Sequence, residues 1–349
     1  MARSKVTLKD LSRRTGFDKS TISRVLRNDE TLSIRKENID LIKQVAVELN
    51  YVPDAAARSL RSARSYSIGA LVPSLQNQIY AQIVEGASEA CRKRDYSLII
   101  AQAARGDAQI DVVSDMVKRN RVDGLMALTF RSEYSQLQTI QNLAVPVMAV
   151  NWRAPPFKNW VTVDELPGAC MATRHLIELG HRRIAHLGGD HERFNPRERL
   201  LGYKMALAEA GIAFDPQLVE LAGYSFDDGF SAMNTLMDRN KEGFTAVFCL
   251  SMLTAAGAIS ALKKRNILVP QDVSVVGFHD GLMAAVMSPS LSTVAYPLVE
   301  MGKVAADGLM DILDGKVEEF TRVIGNPQLV ARDSAAPPSR PSEGASARA

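Results

Sequence analysis

Apolar positions recur every three or four residues in three short stretches near the N-terminus; beyond them the pattern changes to brief apolar runs separated by amphipathic segments. The first stretch opens at Val6-Thr7-Leu8-Lys9-Asp10, where Thr7 can cap free N–H groups and Asp10 can reach back. It ends near Thr15-Gly16. Asp18 caps a second predicted helix, 19–26, with Ile22, Val25 and Leu26 in one apolar stripe and Lys19, Ser20, Ser23 and Arg24 opposite. A third is predicted from a serine cap at Ser33 to Leu49, with Ile39, Ile42, Val45, Ala46 and Leu49 at helical spacing. Two short helices joined by a tight glycine-containing turn form a helix-turn-helix, whose second helix fits a DNA major groove. Taken alone, a polar helix face with two basic residues is more simply a solvated surface. The following Pro53 and alanines favour a further helix, too short to be stable without a partner surface.

From Ser67 onward the short apolar runs predict strands at 67–72, 97–101, 124–128, 147–150, 183–187, 246–249 and 274–277. Helical patterns at 79–94, 168–179, 200–210 and 255–264 alternate with them, which predicts a doubly wound α/β layout occurring twice. Such sheets bind ligands beyond the carboxyl ends of their strands. That rule selects 73–80, 102–105, 129–131, 151–153, 188–199, 250–253 and 278–280.

A length of 349 residues predicts two or three compact units, and 46% hydrophobic with 23% charged residues suits a folded chain. No apolar run is long enough to cross a bilayer and no secretory signal is visible, so a soluble cytoplasmic protein without membrane contact is expected. Charge is informative only by region. Residues 1–64 hold 14 Lys/Arg against 8 Asp/Glu, a net +6, while the rest hold 28 against 31, a net −3. A polyanion-binding head on a mildly acidic body follows. Cys91, Cys170 and Cys249 are far apart and no histidines stand at metal-ligand spacing, so neither disulfides, a metal nor another cofactor is expected. Of His181, His186 and His191, His181 after the Gly180 helix stop reads as a polar cap and His186 in a strand as a half-buried ring rather than as ligands. No phosphate-binding glycine loop, nucleophile elbow or zinc-protease helix occurs, which argues against an enzyme.

Linked pieces in order make the head specific: Val6-Thr7-Leu8-Lys9-Asp10, Ser20-Thr21-Ile22-Ser23-Arg24-Val25-Leu26, Glu48-Leu49-Asn50-Tyr51-Val52-Pro53 and Ala57-Arg58-Ser59-Leu60. The stretch resembles the DNA-binding head of the lactose-repressor type (LacI/GalR) family of bacterial transcription regulators. Body pieces extend the resemblance to about Arg332, among them Val72-Pro73-Ser74, Leu179-Gly180-His181-Arg182-Arg183 and Val275-Val276-Gly277-Phe278. The resemblance implies a small all-α helix-turn-helix head on a two-lobed periplasmic-binding-protein-like body. The expected divisions are a head at 1–52, a hinge helix and linker at 53–65, an effector-binding and dimerisation body at 66–332, and a disordered tail at 333–349. Within the body the first lobe is expected at 66–163 and 292–322, and the second at 164–291 and 323–332.

By the same resemblance Lys19, Ser20 and Arg24 read bases of a double-stranded operator and Thr21 and Ser23 lie toward phosphates. Ala57 and Leu60 would enter the minor groove, Leu60 as a wedge, unless it is an inter-domain packing leucine. Tyr80, Asn151, Asn195, Arg199, Tyr224, Ser251 and His279 fall on effector-contacting positions, and Asn77, Arg105 and Arg131 join them from the strand-end segments. Tyr80 and Tyr224 are equally readable as core tyrosines with a wet tip. Ser251-Met252 stands where sugar-binding relatives commonly carry Asn-Asp, His279 replaces a common Asp and Asn151 stands where some relatives have an acid, so carboxylates are absent beside Arg105, Arg131, Arg153 and Arg199. Together with a likeness to gluconate-responsive members, this favours an anionic sugar acid, with a neutral sugar or another metabolite as the alternative. A solute-binding or sugar-processing protein on the same body is the rival of another class. The tail carries no leucine heptads, so a homodimer is expected rather than a coiled-coil tetramer.

Overall fold

The computed structural model describes residues 6–26, 29, 31–51, 64–102, 107–128, 140, 142–153, 157–240 and 242–339, and the chain divides into two compact units, 1–64 and 65–349. In the first unit lie α1 (Leu8–Thr15), α2 (Lys19–Leu26) and α3 (Lys36–Glu48). Thr7 and Asp10 form a capping box, and α1 stops at Gly16, whose φ of 77° needs no Cβ penalty. Leu11, Ile22, Val25, Ile42, Val45 and Ala46 meet in one buried core, which fixes the two helices of the predicted helix-turn-helix on the third. The expected serine cap at Ser33 is corrected: α3 begins at Lys36 after Arg35, with no side-chain cap. Leu32 and Ile34 pack onto the head's core instead, in alternation with exposed Thr31, Ser33 and Arg35, and that alternation holds the segment extended.

In the second unit the chain alternates strand and helix: β1 (Ser67–Val72), α4 (Gln78–Lys93), β2 (Ser97–Gln102), α5 (Asp107–Lys118), β3 (Gly124–Ala127), β4 (Val147–Val150) and β5 (Trp160–Thr162). There follow α6 (Glu165–Glu178), β6 (Ile184–Gly188), α7 (Phe194–Glu209), β7 (Val219–Leu221), α8 (Phe226–Arg239), β8 (Ala246–Cys249), α9 (Met252–Lys264) and β9 (Ser274–Phe278). Last come α10 (Leu282–Val286), β10 (Ser292–Ala295), α11 (Leu298–Leu313), β11 (Thr321–Val323) and β12 (Gln328–Val330). Two six-stranded sheets result, ordered β11-β5-β4-β3-β1-β2 and β12-β10-β9-β8-β6-β7. All pairings are parallel except β10 with β12. Near-continuous apolar runs fit this, because central parallel strands are covered on both faces; β1, β3, β4, β6, β8 and β9 are buried almost throughout.

The chain passes to the second lobe after β5, returns after β10 and crosses again after β11. The expected return at residue 292 is corrected, since Ser292, Thr293 and Val294 pair with Val276, Gly277 and Phe278 inside the second sheet. At the return, α11 lies directly on α4. A Cβ at Gly302 would sit 1.9 Å from the Ile83 carbonyl oxygen and one at Gly86 1.8 Å from that of Val299, so only glycine permits this backbone approach.

The tail expectation is corrected for 333–339. Ser334 is fully buried: its carbonyl accepts from Val275 N at 2.7 Å, its hydroxyl donates to Val275 O at 2.6 Å and accepts from Ser292 N at 2.8 Å. Ala336 O accepts from Ser274 Oγ and from His181 Nε2, each at 2.9 Å. Small side chains bury little apolar area, yet they let the backbone lie against the sheet and satisfy its polar groups. Ser334→Ala leaves the buried Ser292 N–H without its acceptor, and urea unfolding is expected to show a loss of about 1–3 kcal/mol; unchanged stability would mean the strap contributes nothing.

Candidate functional site

On α2 of the head, Asp18 Oδ1 accepts from Ser20 N at 2.8 Å and Thr21 N at 2.9 Å, closing the helix N-terminus. Lys19 and Ser20 are exposed. The Thr21 hydroxyl donates to Asp18, whose carboxyl is held below its ordinary value chiefly by that bond, and Ser23 is half-buried. Arg24 is held in place: its Nε donates to Asp29 and its Nη2 to Thr31 Oγ1, each at 2.8 Å. Ala57, Leu60 and the Pro53 segment lie outside the described residues, as do Arg105 and Arg131.

In the body, the carboxyl ends of β4 and β9 each continue into a buried polar residue with left-handed backbone, Asn151 at φ 67° and His279 at φ 64°. Such conformations cost free energy at non-glycine residues and concentrate at functional sites. On α7, buried Pro196, Arg199, Gly202, Tyr203 and Ala206 recur at helical spacing and turn Asn195 and Arg199 to the same side. Gly202 lets α6 approach, since a Cβ there would lie 2.5 Å from the Leu166 carbonyl oxygen. That contact brings Glu165, first residue of α6, to Arg199: Arg199 Nε donates to Glu165 Oε2 at 2.7 Å with both side chains buried. Arg199 Nη1 donates to Leu250 O, and the guanidinium lies 4.1 Å over the Phe278 ring.

Several buried atoms around this pair have no hydrogen-bond partner in the chain: Asn151 Oδ1, Glu165 Oε1, Asn195 Oδ1 and both ring nitrogens of His279. Asn195 Nδ2 donates to Asn151 O at 2.7 Å and so joins the second lobe to the first. Beside His279, Gln82 Nε2 donates to Asp280 O at 2.9 Å and Gln78 Oε1 accepts from Met283 N at 3.2 Å, again across the lobes. Asp280 is anchored by a two-pronged contact from Arg332, at 2.7 and 3.0 Å. Tyr224 lines a neighbouring cavity of about 380 Å³ with Asp190, His191, Arg193, Leu221 and Ala222.

Other sequence candidates are occupied. Asn77 Oδ1 caps α4 by accepting from Ile79 N at 3.3 Å, Ser251 Oγ caps α9, and Tyr80 packs against the core. Exposed Arg153 stacks at 4.1 Å on Phe194. Glu165 was not among the sequence candidates, because it follows a short strand that the apolar pattern did not reveal; Asp164-Glu165 before a helical pattern was the available signal. Arg199 was expected to grip an anion with its planar fork. In the structure two of its five N–H groups are committed, Nε to a buried carboxylate and Nη1 to a carbonyl.

The family profile described as "Bacterial regulatory proteins, lacI family" matches residues 7–54, and a "Periplasmic binding protein-like domain" profile matches 173–335. The chain is 30% identical over 329 residues to the ribose operon repressor of Haemophilus influenzae, spanning 94% of this chain and 98% of that protein. The chain belongs to the lacI family of bacterial regulatory proteins. It is also 33% identical over 335 residues to the transcriptional regulator RegA of Clostridium saccharobutylicum, covering 94% of this chain and 98% of that one. Among solved structures, a transcriptional regulator CelR–cellobiose complex matches with a TM-score of 0.73 at 29% identity, over 95% of this chain and 100% of that one. This lacI-family member is therefore a DNA-binding transcriptional regulator with a two-lobed, periplasmic-binding-protein-like effector body, and its family works by binding rather than by catalysis.

Among the described residues no helix is long and apolar enough to cross a membrane, and no group of three His, Cys, Asp or Glu is arranged to hold a metal ion. His181 is bound on both ring nitrogens, to Thr245 Oγ1 and Ala336 O. His186 is stacked between Tyr203 and Phe248, and burial lowers its pKa from 6.5 to about 4. His279 is likewise pushed well below 6.5, by burial first and by Arg199 second. A neutral imidazole in the cleft offers one donor and one acceptor. A depressed histidine contributes stability above pH 6.5 that is lost as pH falls through about 4, because only the unfolded chain takes up the proton. Replacing His186 with Phe is expected to shift stability relative to wild type by about 3 kcal/mol in the variant's favour between pH 7 and pH 4; a pH-independent difference contradicts this.

Proposed function

We propose that this protein is a transcriptional repressor whose hold on an operator is set by a small hydroxyl-bearing effector in the cleft between its lobes. The buried, unpaired atoms of Asn151, Glu165, Asn195 and His279 carry this reading, since buried polar groups are nearly always satisfied and these gather about one buried ion pair at the strand ends. Ribose operon repressors among its relatives and the cellobiose complex among its structural neighbours make a sugar or sugar derivative the natural class, of which gluconate is an anionic member. Tyr224 at the adjoining cavity suits stacking on a sugar face. Asn77, Tyr80 and Ser251 hold the first turns of the flanking helices, so their part is positional.

On the DNA side, Lys19, Ser20 and Arg24 read base edges while Thr21 and Ser23 approach phosphates, with Ala57 and Leu60 in the minor groove. Asp29 and Thr31 fix the Arg24 fork in advance, which lowers the entropy of bidentate contact with a guanine. The protein works as a homodimer on a near-palindromic site. Exposed Ile99 and Ile100 on edge strand β2, with Leu282 and Val286 on α10, offer apolar surface for a second copy. The inter-lobe bonds of Asn195, Gln78 and Gln82 flank Asn151 and His279, so a ligand held there biases the lobe arrangement.

A thermal-shift screen of sugars, alditols and sugar acids on the full chain tests the cleft reading. A true effector at about a hundred times its Kd adds about 2.7 kcal/mol of stability, and a silent screen contradicts the reading. Arg24→Ala is expected to weaken binding of a duplex selected from random sequence by about 1–3 kcal/mol and to relax base preference at one position per half-site. Retained preference in the gel-shift series would remove Arg24 from the base readers.

A further inference from the structure

Glu165 is fully buried at the start of α6, where one carboxylate oxygen takes Arg199 Nε at 2.7 Å and the other, Oε1, has no partner. Around it the unpaired groups are mostly acceptors: Asn151 Oδ1 and Asn195 Oδ1 join Glu165 Oε1, while the neutral His279 ring adds one donor and one acceptor. The Asn195 amide is oriented by its Nδ2 bond to Asn151 O, which leaves the oxygen free. Arg199 has Nε on Glu165, one Nη1 N–H on Leu250 O and its face on Phe278, so a ligand meets a guanidinium already paired with a buried carboxylate. The guanidinium charge is already balanced at contact distance by Glu165.

We propose that Glu165 is the residue that decides the charge class of the effector, admitting a neutral polyhydroxylated ligand and rejecting its carboxylate counterpart. This rests on the cleft being the effector site. A hydroxyl both donates and accepts, so a polyol can donate to Glu165 Oε1, Asn151 Oδ1 and Asn195 Oδ1 and accept from the His279 ring N–H. A ligand carboxylate only accepts. Placed here it would face the Glu165 carboxylate and two amide oxygens in a water-poor site, where like charges repel far more strongly than in water. The expected ligand therefore resembles an aldose or alditol rather than an aldonate.

Calorimetric titration of the full chain with D-ribose, D-glucose and their alditols, against D-ribonate and D-gluconate at matched ionic strength, tests this. The wild-type chain is expected to bind a neutral member about tenfold or more tightly than the aldonate of the same skeleton. Glu165→Gln frees the Arg199 charge and is expected to shift that ratio toward the aldonate by about tenfold or more. A wild-type preference for an aldonate, or an unchanged ratio in a folded Glu165→Gln protein, overturns the proposal. Where circular dichroism shows the variant unfolded, the wild-type ratio alone decides. Binding of neither set overturns instead the effector-cleft reading beneath it.

Discussion

A polar atom sealed from water without a partner costs about 1–3 kcal/mol, and the meeting point of α6, α7, β4 and β9 holds several. The close approach of α6 and α7 at Gly202 places Glu165 on Arg199, the ion pair rests on Phe278, and left-handed residues at two strand ends carry polar side chains into the same place. A buried ion pair adds little net stability over a packed apolar core. Its use is positional: each partner spends one edge on the other and keeps one for something else.

The lobes meet through side-chain amides and backbone groups rather than an apolar seam at these points, with Asn195, Gln82 and Gln78 each spanning the gap. Individual hydrogen bonds of this kind are worth about 0.5–1.5 kcal/mol net. A ligand need therefore supply only a few kcal/mol of differential contact to move the equilibrium between lobe arrangements. The division of charge serves the same logic, since the basic excess is confined to the first 64 residues while the body is slightly acidic.

Much of the fold was legible because its signals are local. Capping by Thr7, Asp10 and Asp18 and the stripe of Ile22 and Val25 depend on neighbours within one or two turns, and they stand where the pattern put them. The buried parallel strands read as apolar runs. Short strands such as β5, β7 and β11 carry few apolar residues and take their pairing from distant segments, so periodicity missed them. The strap at 333–339 was hidden for a related reason: Ser334 is held by hydrogen bonds to residues about forty or more positions away, and composition registers only its lack of apolar bulk. The strand-end rule selected Asn151, Asn195, Arg199 and His279 as candidates. It could not see that Arg199 arrives with a carboxylate already attached, because Glu165 lies 34 positions away on another helix.

The decisive measurement is the affinity of the intact chain for a selected operator duplex, followed by fluorescence anisotropy while a calorimetrically verified cleft ligand is raised to saturation. Coupling between cleft and head predicts a change of about 5- to 150-fold in operator affinity, abolished when the cleft is disabled by Asn195→Ala. An operator affinity that stays constant while the cleft fills would contradict it.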